Sequence, residues 1–341
     1  MTRLGQTRAR AEAGKLTYQV LDTLPDVEEI SAEWDLLLDR SPCNRAFSCS
    51  SWFIVSCSLN QSISPHVIVA RRGAAIVGIL PLVFINDSRV ATLASESSDY
   101  NDIVSIEDDY SVLVGLLEYA ITLGGKNKRV VLSRVRRDSN CFRAAEILER
   151  EGSIQPMFQS TTTYPYVDLS SGYEDYLRTR SKSFRKSLRR AQRNAESSNI
   201  AARELDPTHF SPRRLPEAFL SLNLDRWGLK SYYRSSFVES FVLKLLPELF
   251  SQRRVRAFAL MREERLLGLD LCMVGANSLC SWNGGFLSEA ARWSPGKLLI
   301  DAGIRQAYAG KFEEYDLMRG EEAYKKSWAN NTREIGSLSI G

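Results

Sequence analysis

The motif S-W-N-G-G-F at residues 281–286 is followed by R-W-S-P-G-K-L-L-I-D at 292–301 and by E-Y-D-L-M-R-G-E-E-A-Y-K-K-S-W at 314–328. This pattern predicts a strand ending in a glycine pair, a Pro-Gly turn leading into an amphipathic helix, and a short strand before a polar helix. A helix that starts after such a turn points backbone N–H groups outward, and these suit an anionic group such as a pyrophosphate. The three motifs therefore predict a ligand site at one edge of a sheet.

Two parts of the chain repeat the same order of elements. Runs rich in β-branched or aliphatic residues and bounded by turn residues are typical of antiparallel strands. They occur at 67–71, 76–85 and 90–94, and again at 255–261, 266–274 and 279–286. Gly78 and Gly268 occupy matching places in the two series. We interpret the repeat as an internal duplication.

Helical patterns flank each set of strands in the same way. Two helices are predicted before each set, and a helix, a strand and a helix after it. In the first half these elements lie near 28–39, 49–58, 109–123, 129–134 and 139–151. In the second half they lie near 214–228, 235–251, 296–309, 314–317 and 321–329. Eight elements in matching order support the duplication.

The order α-α-β-β-β-α-β-α is that of the GNAT acyltransferase fold. Two tandem copies resemble the CelD/BcsL-type family of bacterial acetyltransferases, which is associated with cellulose and other exopolysaccharide biosynthesis, and more distantly the FemABX aminoacyl transferases. The motifs that carry the resemblance lie at 46–53, 99–104, 182–194, 225–228, 293–299 and 315–328. The resemblance implies an α/β fold with mixed sheets, built as two tandem GNAT-like lobes.

The expected domain organisation follows from this resemblance. We expect a flexible N-terminus at 1–15, an N-terminal lobe at 16–170, a basic linker helix at 171–200, and a C-terminal lobe at 201–341 that binds the acyl-CoA. The first lobe would be a degenerate copy that shapes the acceptor site.

Composition restricts the class of protein. The chain has 341 residues with 44% hydrophobic and 25% charged residues and a net charge of +4, as in an ordinary soluble protein. Six cysteines without a C-x-x-C pair and only two histidines argue against a structural zinc site or a His-based dyad, so we predict no metal. The basic N-terminus lacks the apolar segment of a signal peptide, and the longest apolar run, 74–85, is shorter than the roughly 20 residues of a membrane span. We expect a cytoplasmic protein.

The donor site is predicted around the Pro-Gly turn. By the resemblance, this turn wraps the pyrophosphate of acetyl-CoA or another acyl-CoA, and glycine lets the backbone approach closely. Backbone N–H groups beside the glycine pair would stabilise the oxyanion. Pro295 departs from the spaced glycines of the usual GNAT loop, and a plain turn before a helix is the alternative interpretation. The candidate donor-binding residues are Trp282, Asn283, Gly284, Arg292, Ser294, Pro295, Gly296 and Lys297.

Acid–base catalysis is assigned to polar residues after the predicted strands. Tyr324 is the candidate acid for the leaving thiolate, and Lys325 would hold an anionic or hydroxylated substrate. For the general base we consider Asp102, Asp316 and Glu321, the last also as a substrate contact. Asp316 sits in a short apolar strand, where burial favours the neutral carboxyl. For Tyr324 and Lys325, the alternative is a tyrosine packed at the helix start beside a solvated lysine. For Asp316, the alternative is a hydrogen-bond acceptor in a turn. A chain of water molecules in place of any general base is the third alternative.

The acceptor pocket is assigned to aromatic and basic residues. Arg226 and Trp227, with Trp282 and Asn283, would stack a sugar ring and donate hydrogen bonds, and Tyr100 in D-Y-N-D is added from the family resemblance. A packed tryptophan at a helix end explains Trp227 equally well.

The segment 178–193 contains eight Lys or Arg and no acid, with Phe184, Leu188 and Ala191 at helical spacing. It predicts an amphipathic helix. Three interpretations of this helix stay open. It is a solvated linker, or its cations contact the phosphates of the coenzyme or substrate, or they contact RNA or an anionic membrane surface. Having only one interleaved aromatic residue weakens the nucleic-acid interpretation.

We therefore expect an N- or O-acyltransferase that moves an acyl group from acyl-CoA to a sugar or other envelope precursor, soluble or lipid-linked, by direct attack in a ternary complex. No Ser or Cys has an evident His partner for a covalent route. The alternatives are a FemABX-like transferase whose donor is an aminoacyl-tRNA, and a non-catalytic exopolysaccharide-assembly protein with an inactive GNAT fold. The sequence does not specify the oligomeric state.

Overall fold

The computed structural model describes residues 14–85, 89–92, 98–106, 109–124 and 130–340. The chain forms two compact units, Met1–Thr161 with Glu334–Gly341, and Thr162–Arg333. Apart from Gly14 and Lys15, the N-terminus predicted to be flexible lies outside the described residues, as do parts of the predicted strands at 90–94 and 129–134.

The first unit is a mixed sheet with helices. Its helices are α1 (Leu24–Glu29), α2 (Ser31–Leu38), α3 (Ser50–Leu59), α4 (Tyr110–Gly124) and α5 (Asn140–Arg150). Its strands are β1 (Leu16–Leu21), β2 (Ile63–Arg72), β3 (Ala75–Ile85), β4 (Arg89–Thr92), β5 (Val104–Ser105) and β6 (Val130–Arg136). The sheet order is β1-β2-β3-β4-β6, with β5 on β3. Strands β4 and β6 are parallel, and the other pairs are antiparallel.

The second unit repeats this plan. Its helices are α6 (Tyr173–Thr179), α7 (Lys182–Glu196), α8 (Arg214–Trp227), α9 (Ser236–Ser251), α10 (Pro295–Ala309) and α11 (Ala323–Trp328). Its strands are β8 (Ile200–Leu205), β9 (Val255–Arg262), β10 (Arg265–Val274), β11 (Ser278–Phe286) and β12 (Glu314–Asp316), in the order β8-β9-β10-β11-β12. Only β11 and β12 are parallel among these pairs.

Two long strands cross from one unit to the other along the chain. Strand β7 (Met157–Asp168) pairs antiparallel with β12 of the second unit through residues 166–168. Strand β13 (Asn331–Ile340) pairs antiparallel with β6 of the first unit. Each unit's sheet is therefore completed by a strand that follows the other unit's last helix in sequence.

The two glycines matched in the sequence repeat serve the same purpose. A Cβ on Gly78 of β3 would lie 2.4 Å from Val112 Cγ1 of α4, so this helix packs directly on the strand. A Cβ on Gly268 of β10 would lie 3.1 Å from Phe286 Cβ and 3.4 Å from Leu299 Cδ1 of α10. In both units a glycine lets the helix after the meander approach the sheet closely, which supports the predicted duplication.

The two units differ from the predicted domain boundaries in three places. The first unit ends inside β7 rather than at residue 170, and residues 334–341 belong to the first unit rather than to the second. The segment predicted as a separate linker at 171–200 forms α6 and α7 within the second unit. The reason is hydrophobic burial, because Phe184, Leu188, Ala191 and Ala195 of α7 enter the same core as α10 and Trp328.

Candidate functional site

The second unit's sheet opens between its two parallel strands. Pairing of β11 with β12 runs from Ser278 opposite Glu314 to Cys280 opposite Asp316 and then stops, while β11 continues to Phe286. A bulge at Trp282 interrupts the pairing of β11 with β10 just beyond that point. The opening therefore lies at the carboxyl ends of the parallel strands, where α/β sheets commonly bind ligands.

Helix α10 begins beside the end of β11. Ser294 stands at its N-cap in the left-handed conformation (φ 58°) and makes no side-chain capping bond. Pro295 at the first helical position has no N–H, and the Gly296 N–H meets no acceptor among the described residues. A Cβ on Gly296 would have no atom within 4 Å. The predicted turn is thus an uncapped helix start with a free amide and open space around it.

Two cations flank this helix start. The Arg292 guanidinium lies 4.0 Å from the ring centre of Trp293, whose indole N–H donates to Ser198 Oγ at 2.9 Å. Lys297 Nζ donates to Ser187 Oγ of α7 at 2.5 Å, and partial burial lowers its pKa. Arg292 is thus held by a residue of the turn, and Lys297 by a residue of α7. Their positive charges would complement an anion bound at the N-terminus of α10.

A buried carboxyl not assigned from the sequence lies on the other side of the opening. Asp270 of β10 accepts from Ser281 Oγ at 3.1 and 3.3 Å, from Tyr315 OH at 3.5 Å and from Cys272 Sγ at 3.4 Å. No cation among the described residues pairs with it. Burial raises its pKa to about 6, against the effect of these hydrogen bonds. The available signal was an acid inside the apolar run 266–274.

Ser281 connects this carboxyl with the opening. It is the first residue of β11 beyond the last pair with β12, and it is only partly buried. Its hydroxyl can therefore contact a ligand on one side and donate to the Asp270 carboxylate on the other. Such a pair can pass a proton from the opening to a buried acceptor.

The glycine pair in β11 has two separate structural roles. A Cβ on Gly284 would lie 2.7 Å from Leu269 O and 3.1 Å from Asp270 Oδ1. A Cβ on Gly285 would lie 2.4 Å from the backbone nitrogen of Asn223 in α8. Glycine is thus required at one position by Asp270 and the neighbouring strand, and at the other by close packing of α8.

The expected oxyanion donors are partly occupied. The Gly284 N–H donates to the Asn283 side-chain oxygen at 3.0 Å. That oxygen also lies 3.4 Å from Asn223 Nδ2, which in turn lies 3.2 Å from Gly284 O. Asn283 thus fixes the backbone of β11 and occupies the Gly284 N–H, one of the amides expected near the oxyanion. The Trp282 ring stacks on Phe219 of α8 at 6.2 Å.

Tyr324 lies in α11, after β12, on the side of the opening. Although 51% of its surface is exposed, burial is the largest cause that raises its pKa, and the negative charges of Glu322 and Asp270 add to the effect. The phenol therefore keeps its proton at neutral pH and can act as a donor. This arrangement suits the predicted acid.

Lys325 is held inside its own loop. Its buried ammonium donates to the Arg319 carbonyl and lies 3.3 Å from Glu322 Oε2. Burial lowers its pKa, and the Glu322 carboxylate opposes this shift. The side chain ties residues 319–325 together, so the geometry favours a positioning role over the direct substrate contact predicted from the sequence.

Two predicted acids beyond β12 have structural partners. Asp316 is fully buried; its Oδ1 accepts from the Met318 N–H at 2.7 Å, and its Oδ2 lies 4.0 Å from Arg333 Nε. Glu321 is exposed and pairs with Lys326 Nζ at 3.2 Å, and this hydrogen bond is the largest cause that lowers its pKa. Both carboxyls thus have structural partners: Asp316 holds the Met318 backbone and lies near Arg333, and Glu321 forms a surface ion pair with Lys326.

The candidates in the first unit are also structural. Asp102 accepts from the N–H groups of Ile103 (2.9 Å), Asn140 (3.1 Å) and Cys141 (2.8 Å), so it caps the start of α5. Burial raises its pKa to about 6, and the backbone hydrogen bonds oppose this. Tyr100 is buried, with its ring edge-on to Phe47 at 6.0 Å. Asp102 therefore caps a helix and Tyr100 packs in the core, while the catalytic role of Asp102 and the substrate contact of Tyr100 stay predictions.

Arg226 and Trp227 end α8 close to the end of β11. The Arg226 guanidinium lies 5.0 Å from the Trp227 ring centre and 4.3 Å from that of Phe286. Asp225 Oδ1 accepts from the Ser288 N–H at 2.6 Å and fixes the helix end to the chain beyond β11. The pair is thus exposed beside the opening, where it can reach an acceptor.

The basic residues of α7 form one stripe. Lys182, Lys186, Arg189, Arg190 and Arg193 are exposed on the face opposite the buried Phe184 and Leu188, and within the described chain none pairs with a carboxylate. The helix packs against α10 through the core. The stripe is a strongly cationic surface on the donor side of the second unit.

Two negative findings hold for residues 14–85, 89–92, 98–106, 109–124 and 130–340. Those residues contain no group of three or more His, Cys, Asp or Glu arranged to hold a metal ion. None of the helices described there combines the length and apolar composition needed to cross a bilayer.

Comparison with known proteins gives the class of the fold. Residues 182–326 match the family model described as "Acetyltransferase (GNAT) domain", and no curated protein matches the sequence. The chain resembles the crystal structure of FemX (TM-score 0.65, 12% identity, 91% of this chain and 95% of that one). It also resembles L-PGS from Bacillus licheniformis (0.61, 12%, 94% and 93%) and the C-terminal domain of a putative lysylphosphatidylglycerol synthetase from Agrobacterium fabrum (0.54, 12%, 92% and 92%).

The region that matches the GNAT domain model lies within the second unit, and the predicted fold class of two tandem GNAT-like units is confirmed. At 12% identity the structural neighbours establish the fold alone. These comparisons do not identify the acyl donor or the acceptor of this chain.

Proposed function

We propose that this protein is a GNAT-type acyltransferase that moves an acetyl or other acyl group from acyl-CoA to an amine or hydroxyl of a sugar or cell-envelope precursor. The observation that carries the proposal is the opening between β11 and β12 beside the free start of α10. The acyltransferase class rests on the family match over 182–326.

The donor diphosphate would lie at the start of α10. The free Gly296 amide and the space around it fit a close anion, and Lys297 and Arg292 supply positive charge. Pro295 fixes φ at a value suited to the first helical position. Its missing N–H costs no helical hydrogen bond, because the N–H of any residue at that position has no partner within the helix. Ser294 turns the chain without capping it. The pantetheine would then run between β11 and β12.

The chemistry would be direct attack in a ternary complex. The acceptor nitrogen or oxygen bonds to the thioester carbon and the carbon–sulfur bond breaks. The proton lost by the acceptor passes through Ser281 to Asp270, and Tyr324 protonates the departing thiolate. Asp270 suits this role because its pKa of about 6 leaves it ionised at neutral pH yet able to accept a proton. We propose it in place of Asp102 and Asp316.

The acceptor would contact Arg226 and Trp227 at the end of α8, with Trp282 beneath it. An exposed ring flanked by a guanidinium suits stacking on a sugar together with hydrogen bonding to its hydroxyls. We further propose, from the motifs shared with the CelD/BcsL-type family, that the product serves cellulose or other exopolysaccharide biosynthesis in the cytoplasm.

Single-turnover assays with radiolabelled acetyl-CoA and a panel of amino sugars and sugar nucleotides would test this function. Transfer should require acetyl-CoA, persist after RNase treatment and fall sharply in Tyr324→Phe. Absence of binding at millimolar coenzyme would eliminate acyl-CoA as the donor.

One observation favours a second donor class. The unpaired cationic stripe of α7 adjoins α10, and counterion release from such a surface favours a polyanion. A FemABX-like use of aminoacyl-tRNA would produce tight, salt-sensitive tRNA binding, weakened by Lys186→Glu with Arg190→Glu. Acetyl transfer that is insensitive to RNase would eliminate this alternative.

A further inference from the structure

The last turn of α8 and the connection from α8 to α9 expose an unusual group of apolar side chains. Leu224, Trp227, Leu229 and Tyr232 are 38%, 50%, 86% and 53% exposed. Within the described chain eleven large apolar residues are exposed, and these four lie within nine consecutive positions. We call them the apolar ridge. Isolated exposed leucines are ordinary, but clustered ones mark a contact surface.

Hydrogen bonds and aromatic packing hold the chain that carries the ridge in one position. Gly228 ends α8 with φ +52°, and the Ser231 N–H donates to its carbonyl at 3.2 Å. The buried Ser231 hydroxyl donates to Asn223 Oδ1 at 2.7 Å. The Tyr233 ring packs edge-on against Phe219 at 4.9 Å. Buried contacts of Ser231 and Tyr233 with α8 therefore hold the connection in place, and they keep the side chains of the ridge exposed.

Positive charge surrounds the ridge. Arg226, Lys230 and Arg234 are exposed, and none forms an ion pair with any described carboxylate. The nearest acid in sequence, Asp225, accepts from the Ser288 amide at 2.6 Å. The segment 224–234 thus combines leucine, tryptophan and tyrosine with three available cations.

We propose that the segment 224–234 binds the surface of an anionic phospholipid bilayer. Tryptophan and tyrosine prefer the bilayer interface, and Lys or Arg beside them contact lipid phosphates. A protein partner is a poorer fit, because a stable interface buries about 800 Å² on each side and four side chains on one connection supply only part of that. The three cations match anionic headgroups, each strengthening binding about fivefold.

This surface is distinct from the basic stripe of α7. Helix α7 packs with α10 in one core, whereas α8 packs on the other face of the sheet, where Trp282 and Gly285 contact it. The bilayer contact therefore does not depend on the α7 stripe. It shares Arg226 and Trp227 with the proposed acceptor site but does not depend on the acyl donor, so its test and the donor test fail independently.

The test is co-sedimentation of the full chain with vesicles of phosphatidylcholine alone or mixed with phosphatidylglycerol. Wild type should bind the mixed vesicles and bind pure phosphatidylcholine much more weakly. Leu229→Ser with Tyr232→Ser should weaken binding about tenfold or more. Leu243→Ser is the matched control, since this leucine is 42% exposed on α9 but lies outside the segment, and it should change binding by no more than about twofold.

Two further variants make the result decisive. Lys230→Glu should weaken binding to the mixed vesicles, and Trp227→Phe should remove a blue shift in fluorescence on their addition. The proposal is overturned if wild type does not sediment with anionic vesicles, or if the Leu229/Tyr232 variant binds as wild type does. It is also overturned if only Lys186→Glu with Arg190→Glu abolishes binding, because α7 would then be the contact.

Discussion

Replacing Asp270 by Asn should increase stability relative to wild type at neutral and alkaline pH and remove that advantage in acid. In the folded protein the Asp270 carboxyl is buried among neutral donors, and no described cation compensates its charge. Burial raises its pKa from 3.8 to about 6. Wild type therefore carries an uncompensated buried charge above this pH, and the amide does not.

The magnitude follows from proton linkage. Between pH 3.8 and about 6 the folded chain keeps a proton that the unfolded chain has released, so this group lowers stability as the pH rises through the window. A shift of about two units at 1.36 kcal/mol per unit amounts to about 3 kcal/mol. The stability difference between Asp270→Asn and wild type should therefore move by about 3 kcal/mol in favour of the variant between acid and neutral pH.

Urea unfolding of both proteins across this pH range measures the difference. Asp206→Asn is the control: this exposed carboxyl has a pKa lowered mainly by its hydrogen bond from the Thr208 hydroxyl, so its effect should run in the opposite direction. A difference between Asp270→Asn and wild type that is constant with pH would refute the reasoning. Asp270 would then have the same protonation in the folded and unfolded states.

Three other substitutions separate packing, capping and chemistry. Gly285→Ala should destabilise by about 1–3 kcal/mol in urea unfolding, because the new Cβ meets the Asn223 backbone at 2.4 Å; an unchanged midpoint would mean that α8 can move away. Asp102→Ala should cost about 2 kcal/mol by the same measurement, since three backbone N–H groups including those at the start of α5 lose their acceptor; no loss would contradict the capping role. Tyr324→Phe should lower kcat by about 100-fold or more while leaving the KM for acetyl-CoA nearly unchanged; equal kcat values would exclude Tyr324 as the acid.

Much of the fold could be predicted because its central elements carry strong patterns. The apolar runs 76–85 and 266–274 became β3 and β10, and the periodic segment 296–309 became α10. Strands β1, β7, β8 and β13 were missed. β1 and β8 are short and half exposed, and β7 and β13 are rich in Ser, Thr and other polar residues. Their strand structure depends on pairing with neighbours distant in sequence, which local periodicity does not report.

The site was predictable in position but not in detail. The Pro-Gly turn and Tyr324 lie beside the opening between β11 and β12, as the order of elements implied. The capping role of Asp102 could not be predicted, because its donors at the start of α5 lie some 40 residues away in sequence. No role could be assigned to Asp270 from the sequence, because its hydrogen-bond donors lie on three different strands and meet only in the folded sheet.

Calorimetric titration of acetyl-CoA into wild type and Gly296→Ala tests the central claim most directly. The alanine should raise helix stability by up to about 1 kcal/mol, since nothing lies within 4 Å of its Cβ and the helix gains a better former. It should nevertheless weaken acetyl-CoA binding about tenfold, because the methyl group keeps the diphosphate from the free amide. Equal affinity in the two proteins, or no heat with wild type at millimolar acetyl-CoA, would contradict a donor site at the start of α10.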